Sequence, residues 1–256
     1  MCFDADSRPP ELPADLRRIA GAAPGERIEL QSADGTRFSA FVSVPPEAGG
    51  AGVVIFPDVR GLYPFYETLA ERFAAAGHPA AVLDYFGRTA GLGPRDDDFD
   101  YWPHVTETTV EQVQADAVAA RDALLERAGP RPVASVGFCY GGFRSFMAAT
   151  SAELGLAGAV GFYGALSGKR FGVAPTDRAA DVRCPVLGLF GGADEGIPIE
   201  QIEAYDAALE AAGVEHEIHV YPGAPHSFFD RKYEQFAAES EDAWRRTLAF
   251  LDRLTA

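Results

Sequence analysis

A cysteine between two glycines follows a predicted buried strand and has the clearest chemical potential in the chain. Residues 136–143 read VGFCYGGF, which places Cys139 at the centre of a Gly-x-Cys-x-Gly pattern. This pattern is typical of a nucleophile elbow, a sharp strand-to-helix turn in which glycine at positions 137 and 141 avoids crowding. The start of a helix favours a thiolate, and the Tyr140 N–H would be one oxyanion donor. The alternative is that Cys139 is only a small buried apolar residue.

An acid and a histidine occur later in the chain, each shortly after a predicted strand. Asp194 ends the Gly-rich segment LFGGAD, and His226 ends the Pro/Gly-rich segment YPGAPH. The order Cys, Asp, His is the one expected for an α/β-hydrolase, in which the nucleophile attacks an acyl carbon, the histidine carries the proton and the acid orients the imidazole. Asp194 could instead be a turn residue or a helix cap, with Glu195 as a competing carboxylate. His226 could be an ordinary loop histidine.

The apolar pattern of the chain predicts the elements that position these residues. Short apolar strands alternate with helices, which indicates a mostly parallel sheet with helices on both faces. Two strands of period-two alternation flank Asp34 and Gly35 and predict an N-terminal antiparallel hairpin. We expect one α/β-hydrolase domain over residues 1–256, with residues 1–24 as an irregular arm. The predicted strands are 27–31, 37–42, 53–56, 80–83, 133–136, 159–163, 186–190 and 217–220, and the predicted helices are 65–75, 109–127, a stretch after the elbow, 199–212 and 239–254.

Composition and charge argue against several classes of function. The 256 residues carry a formal net charge of -16, which opposes non-specific binding to nucleic acid and to an anionic membrane surface. The same charge would repel an anionic substrate, which would then need a local arginine. Three cysteines argue against a disulfide framework, and the N-terminus has no signal-peptide pattern, so we expect a cytoplasmic protein. No apolar run approaches the roughly 18 residues of a transmembrane helix.

Together, the elbow, the Asp194 turn and the loop His226-Ser227-Phe228 resemble the dienelactone hydrolases, also called carboxymethylenebutenolidases. The resemblance runs from about residue 28 to 254, and cysteine at the elbow is its most specific element. The segment FPDVRGL at 56–62 matches a family position where a carboxylate, commonly Glu, contacts the resting cysteine. The resemblance therefore implies a thiol-contacting role for Asp58, one methylene shorter than Glu. It also implies that the N–H of Val59 is the second oxyanion donor.

Arginines that hold a substrate carboxylate are a further family feature. One follows the strand 80–83, where the segment YFGR places Arg88. The second lies four residues after the catalytic histidine, where this chain has Asp230, with Arg231 one residue further on. Arg144, in the helix after the elbow, is a third candidate at a position that is usually apolar. Arg88 and Arg231 could instead be solvated loop residues, and Arg144 could form a salt bridge.

The resemblance implies hydrolysis of a small ester or lactone, with the opening of dienelactone to maleylacetate in aromatic-compound degradation as the named candidate. A broader carboxylesterase or thioesterase with the same triad is the alternative, because the departures at Asp58 and Asp230, together with the segment YWPH at 101–104, indicate a modified pocket. A non-catalytic ligand-binding protein on the same fold is a third reading. We expect no metal or organic cofactor, a small-molecule substrate as the partner, and a monomer or homodimer.

Overall fold

The computed structural model describes residues 7–17, 24–47, 49–96, 98–169 and 171–256. Parts of the predicted arm, residues 1–6 with Cys2 and residues 18–23, lie outside the described residues. The remainder of the arm contains one 3-10 helix, Ala14–Leu16. The described part of the arm packs on the C-terminal helix, since the indole Nε1 of Trp244 donates a hydrogen bond to the carbonyl of Pro10 at 3.2 Å.

One mixed sheet organises the described residues. The strands are β1 (Glu26–Gln31), β2 (Arg37–Ser43), β3 (Gly52–Phe56), β4 (Ala80–Leu83), β5 (Val133–Phe138), β6 (Gly158–Phe162), β7 (Val186–Gly191) and β8 (His216–Tyr221). Their order in the sheet is β1-β2-β4-β3-β5-β6-β7-β8. The first two strands form the predicted antiparallel hairpin, β2 is antiparallel to β4, and every other neighbouring pair is parallel.

Helices cover both faces of this sheet. Alternate residues of β3 belong to two different core clusters, with Val53 and Ile55 in one and Val54 and Phe56 in the other. The helices are α1 (Pro64–Ala75), α2 (Gly87–Ala90), α3 (Tyr101–Glu107), α4 (Val110–Ala128), α5 (Tyr140–Ala148), α6 (Ile199–Ala211) and α7 (Ala237–Arg253), with a second 3-10 helix at Thr176–Asp181. The first cluster includes a contact between Phe73 of α1 and Trp244 of α7, whose ring centroids are 5.0 Å apart. The second cluster includes residues of α4 and α5.

The predicted α/β-hydrolase fold is therefore confirmed, and each predicted strand and helix is present. The short helices α2 and α3 were not predicted. Pro103 argues against a helix at 101–107 in the sequence, but it lies in the first turn of α3, where a missing N–H is tolerated. Among the described residues, no helix combines the length and the hydropathy needed to span a bilayer.

The topology brings the candidate residues to one edge of the sheet. Cys139 follows β5 directly, and Val59, Asp194 and His226 lie in the connections that leave β3, β7 and β8. These four strands are parallel within the sheet. Since the carboxyl ends of parallel strands share an edge, the four residues can meet there, which is where open α/β sheets bind ligands.

Candidate active site

The turn at Cys139 has the backbone geometry of a strained elbow. Cys139 has φ 55° and ψ -113° and is the N-cap of α5. A Cβ at Gly137 would overlap the carbonyl oxygen of Gly141, as the pattern predicts. A Cβ at Gly141 would instead overlap the carbonyl oxygen of Phe56 at the end of β3. Both glycines are thus needed for close backbone approach, and strain at a non-glycine residue is characteristic of functional sites.

His226 and Asp194 form a hydrogen-bonded pair. The Nδ1 of His226 lies 2.6 Å from the Oδ2 of Asp194. Asp194 is almost completely buried, and its Oδ1 also accepts the N–H of Gly196 at 2.9 Å, so its carboxylate is held in place. Glu195 is exposed and takes no part in this hydrogen bond. Asp194 therefore meets the geometric requirement for orienting the imidazole.

The charge of His226 is set by opposing effects. Burial disfavours the imidazolium, but the charge and hydrogen bonding of Cys139 and of Asp194 outweigh it and raise the pKa of His226 to about 11. This direction favours the imidazolium form of His226 in the resting site. Burial alone acts on the other described cysteine, Cys184, and raises the pKa of that thiol to about 12.

A cavity of about 880 Å³ joins the predicted catalytic groups. Cys139, Asp194 and His226 all line it, and so do the predicted oxyanion residues Val59 and Tyr140. Tyr140 is the first residue of α5, where backbone N–H groups have no acceptor within the helix. Among the described residues, no group of three or more His, Cys, Asp or Glu side chains is placed to hold a metal ion.

Asp58 lies beside this cavity but does not line it. Its side chain is fully buried, and its Oδ1 accepts the N–H of Arg60 at 2.9 Å. Its own N–H donates to the hydroxyl of Tyr66 at 3.0 Å. These bonds hold the chain that carries Val59. The contact between Asp58 and the thiol stays a prediction.

The structure places Arg88, which is predicted to bind the substrate, among partners in the hairpin and in α4. Its Nη2 donates to Asp116 at 2.7 Å, its Nη1 donates to Thr36 at 2.8 Å, and Nη1 also contacts Asp34. Arg88 does not line the cavity. The physical reason is Asp116, a fully buried carboxylate of α4 that requires a charged partner. Arg88 therefore joins the hairpin to α4.

Arg144 and Arg231 also lie outside the lining of the cavity. Arg144 is buried, donates to the carbonyl of Thr108 at 2.6 Å and lies 4.6 Å from the centroid of the Tyr140 ring, with the Tyr140 hydroxyl as a second acceptor. Its role is to hold Tyr140 and α3, because a buried guanidinium needs acceptors and aromatic faces. Arg231 is exposed. Arg88, Arg144 and Arg231, the arginines predicted to bind the substrate, therefore do not line the cavity.

The structure places other residues in the cavity that the sequence did not single out for it. Among them are Tyr163, Phe171, Lys169 and Lys232, and Trp102 of the YWPH segment lines the cavity as well. The ring of Tyr163 lies 5.0 Å from that of His226. Local sequence carries no motif for these positions. The one available signal was that Lys169 and Lys232 are the only lysines in the chain.

Asp230 takes the place of the expected family arginine and is buried. Its Oδ2 accepts the hydroxyl of Tyr163 at 2.9 Å, and its Oδ1 accepts the N–H of Arg231. Burial raises the pKa of Asp230 to about 8, with the charge of Asp58 acting in the same direction and the hydrogen bonds and His226 opposing it. A carboxyl group thus replaces a positive charge beneath the cavity wall.

Comparison with known proteins agrees with the fold and the motif. Residues 38–255 match the model of the Dienelactone hydrolase family. A "Putative carboxymethylenebutenolidase" of Methylorubrum extorquens is 30% identical over 246 residues, covering 88% of this chain and 79% of the relative. The carboxymethylenebutenolidase of Rhodococcus opacus is 28% identical over 99% of this chain and 97% of its own.

Solved structures give the same result. A crystal structure of a "Putative Dienelactone Hydrolase" from Klebsiella pneumoniae superposes with a TM-score of 0.76 at 28% identity, covering 88% of this chain and 98% of that chain. The family model covers most of the sequence, including the elbow, the Asp194 turn and the His226 loop. The chain therefore belongs to the dienelactone hydrolase family and is a hydrolase that acts on ester bonds.

Proposed function

We propose that this chain hydrolyses small carboxylic esters and lactones with Cys139 as the nucleophile. The observation that carries the proposal is the 2.6 Å pairing of His226 with Asp194 in the cavity that Cys139 also lines. A nucleophile, a base and a group that orients the base are the three parts that nucleophilic catalysis requires.

The reaction divides into two steps on these groups. The Cys139 thiolate adds to the acyl carbon, and the N–H groups of Tyr140 and Val59 stabilise the oxyanion. The carbon–oxygen bond to the leaving group then breaks, and the imidazolium of His226 supplies the proton for the alcohol. Water, deprotonated by neutral His226, attacks the thioester, and the acid is released as the thiolate re-forms. Asp194 keeps the imidazole oriented through both steps.

The range of substrates that we propose depends on which positively charged side chains line the cavity. The candidate substrate dienelactone would need its carboxylate held, and Arg88, Arg144 and Arg231 do not line the cavity. We therefore favour small esters, thioesters and lactones as a class over dienelactone alone. A cytoplasmic location is part of the proposal, because a reducing compartment keeps a nucleophilic thiol free.

Steady-state hydrolysis by cysteine variants tests the proposal. We expect Cys139→Ala to lower kcat/KM for a 4-nitrophenyl ester by at least about a thousandfold, because the nucleophile is lost. Cys184→Ala is the matched control, because Cys184 is buried away from the cavity and its truncation should leave the rate within about threefold. Comparable rates for the wild type and folded Cys139→Ala would overturn the proposal. Adding dienelactone and a thioester to the panel defines the preferred class.

A further inference from the structure

The cavity holds an unusual concentration of one residue type. The chain contains two lysines against twenty arginines, and both lysines line the same cavity as Cys139. Lys169 lies in the connection after β6, and Lys232 lies in the connection after β8, six residues beyond His226. The two positive charges therefore reach one cavity from different loops, in a chain with a net charge of -16.

These lysines differ in their side-chain partners from the arginines that were predicted to bind the substrate. Within the part of the chain that the structure describes, neither lysine takes part in a salt bridge. By contrast, Arg88 is held by carboxylates, and the buried Arg144 is held by a carbonyl and by an aromatic ring. Hydrated ammonium groups on flexible stems can turn towards a ligand, whereas the buried guanidinium groups are already committed.

Neighbouring groups define where an anion could sit. Glu195 lines the cavity as well and opposes an anion near the Asp194 turn. Ser167 and Gln201 line it with neutral polar groups that can donate hydrogen bonds. Lys169 is exposed and Lys232 is half-buried, so these charges lie at the solvent-facing margin of the cavity, whereas Cys139 lies at the elbow.

The size of the cavity bears on the shape of the substrate. A volume of about 880 Å³ lies near the upper end of the roughly 300–1,000 Å³ range of small-molecule sites. Trp102 and Phe171 add apolar wall between the site and solvent. A compact lactone would fill a small part of this space, whereas a longer ester could reach from Cys139 to the lysines.

We propose that Lys169 and Lys232 form an anion-binding rim, and that the substrate is an extended ester carrying a carboxylate or similar anion away from its scissile bond. This inference rests on the proposed function, because it assumes that the ester is cleaved at Cys139. It differs from the arginine-based expectation in the residues used and in the distance between the anion and the reacting carbonyl.

Two esters of equal acyl length test the rim. The anionic probe is 4-nitrophenyl hydrogen adipate and the neutral probe is 4-nitrophenyl hexanoate, which share a leaving group. In the double variant Lys169→Met/Lys232→Met we expect kcat/KM for the adipate ester to fall about tenfold, equal to about 1.4 kcal/mol. The kcat/KM for the hexanoate ester should change by less than about twofold, because methionine keeps much of the apolar stem of lysine. The double variant Lys169→Arg/Lys232→Arg should retain most of the adipate rate.

Salt and two single variants supply controls. Raising the ionic strength to about 0.5 M should lower the adipate rate of the wild type and leave that of the methionine variant nearly unchanged, because salt screens exposed charges. Arg183→Ala removes an exposed charge outside the cavity lining and should affect neither ester. Loss of the adipate preference in Arg231→Ala but not in the lysine variant would overturn the rim and favour the family position.

Binding of a product separates this inference from the catalytic proposal. In calorimetry, adipate should bind the Cys139→Ala protein more tightly than hexanoate. This difference in Kd should disappear when Lys169 and Lys232 are also replaced by methionine. Equal binding in the presence and absence of the two lysines would overturn the rim even if both esters are hydrolysed. Adipate binding that depends on the lysines, together with unchanged turnover in Cys139→Ala, would instead retain the rim and reject the nucleophile.

Discussion

Two buried aspartates, Asp194 and Asp230, flank the histidine of the site and have different partners. Asp194 accepts a hydrogen bond from the imidazole of His226 itself. Asp230 is linked to His226 through Tyr163, whose hydroxyl donates to the carboxyl and whose ring packs on the imidazole. The first acid therefore has a partner that can become a cation, and the second has neutral hydrogen-bond donors.

This difference shows that burial alone does not assign a role to a carboxyl group. Burial raises the pKa of Asp230 to about 8. The charge of Asp58 raises this pKa further, and its effect is larger than the opposing effect of the charge of His226. Near neutral pH Asp230 is mostly protonated and can support Tyr163 without adding charge to the site. Asp194 has the direct bond that can stabilise an imidazolium, so we expect a catalytic role for Asp194 and a structural role for Asp230.

The largest effect expected from this comparison is on catalysis by Asp194. We expect Asp194→Ala to lower kcat/KM for a 4-nitrophenyl ester by about a thousandfold or more, because the imidazole loses its orienting partner. Asp230→Asn should lower the same value by less than about tenfold, because the amide oxygen still accepts the Tyr163 hydroxyl. Equal losses in the two variants would contradict the division of roles.

The next largest effect is expected in how the free energy of unfolding depends on pH, through the titration of Asp230. The folded state retains the Asp230 proton between the ordinary pKa of 3.8 and the raised value of about 8, while the unfolded chain releases it. The unfolded state therefore binds fewer protons in this window, and this contribution to stability is full below about pH 4 and is lost as the pH rises through 8.

Asp230→Asn removes this titration. Its free energy of unfolding relative to the wild type should therefore increase by about 2 kcal/mol or more between about pH 5 and pH 8, with an upper bound of about 1.4 kcal/mol per pH unit. Urea unfolding at several pH values measures the difference. A difference that stays constant across this range would show that Asp230 ionises near its ordinary pKa.

Removal of the Tyr163 hydroxyl has the smallest expected effect. Tyr163→Phe keeps the ring against His226 but leaves the buried Asp230 without one hydrogen bond. We expect a loss of about 1–2 kcal/mol in the free energy of unfolding at about pH 6, and a change in kcat/KM below about tenfold. A large loss of activity with unchanged stability would contradict this expectation and would indicate that the hydroxyl takes part in the reaction.

The elements and the elbow could be predicted from sequence because their signals are local. Apolar patterns predicted the eight strands and the helices α1, α4, α6 and α7 to within two residues of their observed bounds, whereas α2 and α3 were not predicted. Glycine at 137 and 141 reports a backbone approach that a Cβ would prevent. Asp194 and His226 were predicted from their order after strands, since parallel strands bring successive loops to one edge.

The arginines and Asp230 could not be predicted in the same way. The partners of Arg88 lie 28 and 54 residues away along the chain, so no local sequence pattern indicates them. Resemblance to the family suggested an anion site at Arg88 and Arg231, but a buried carboxylate on α4 competes for the first. The position expected for a second arginine is occupied by an acid that bonds to a tyrosine from another strand end.

By itself the sequence determined the α/β architecture, the Cys-Asp-His order and the elbow, because these depend on residue type and on spacing along the chain. Which charged side chains reach the cavity follows only from the tertiary structure. The partners of a long side chain depend on what lies near it in space, so Arg88 and Arg144 are held by contacts outside the cavity, whereas Lys169 and Lys232 line the cavity. The physical reason is that a buried charge must be neutralised where it is buried, wherever in the chain its partner originates.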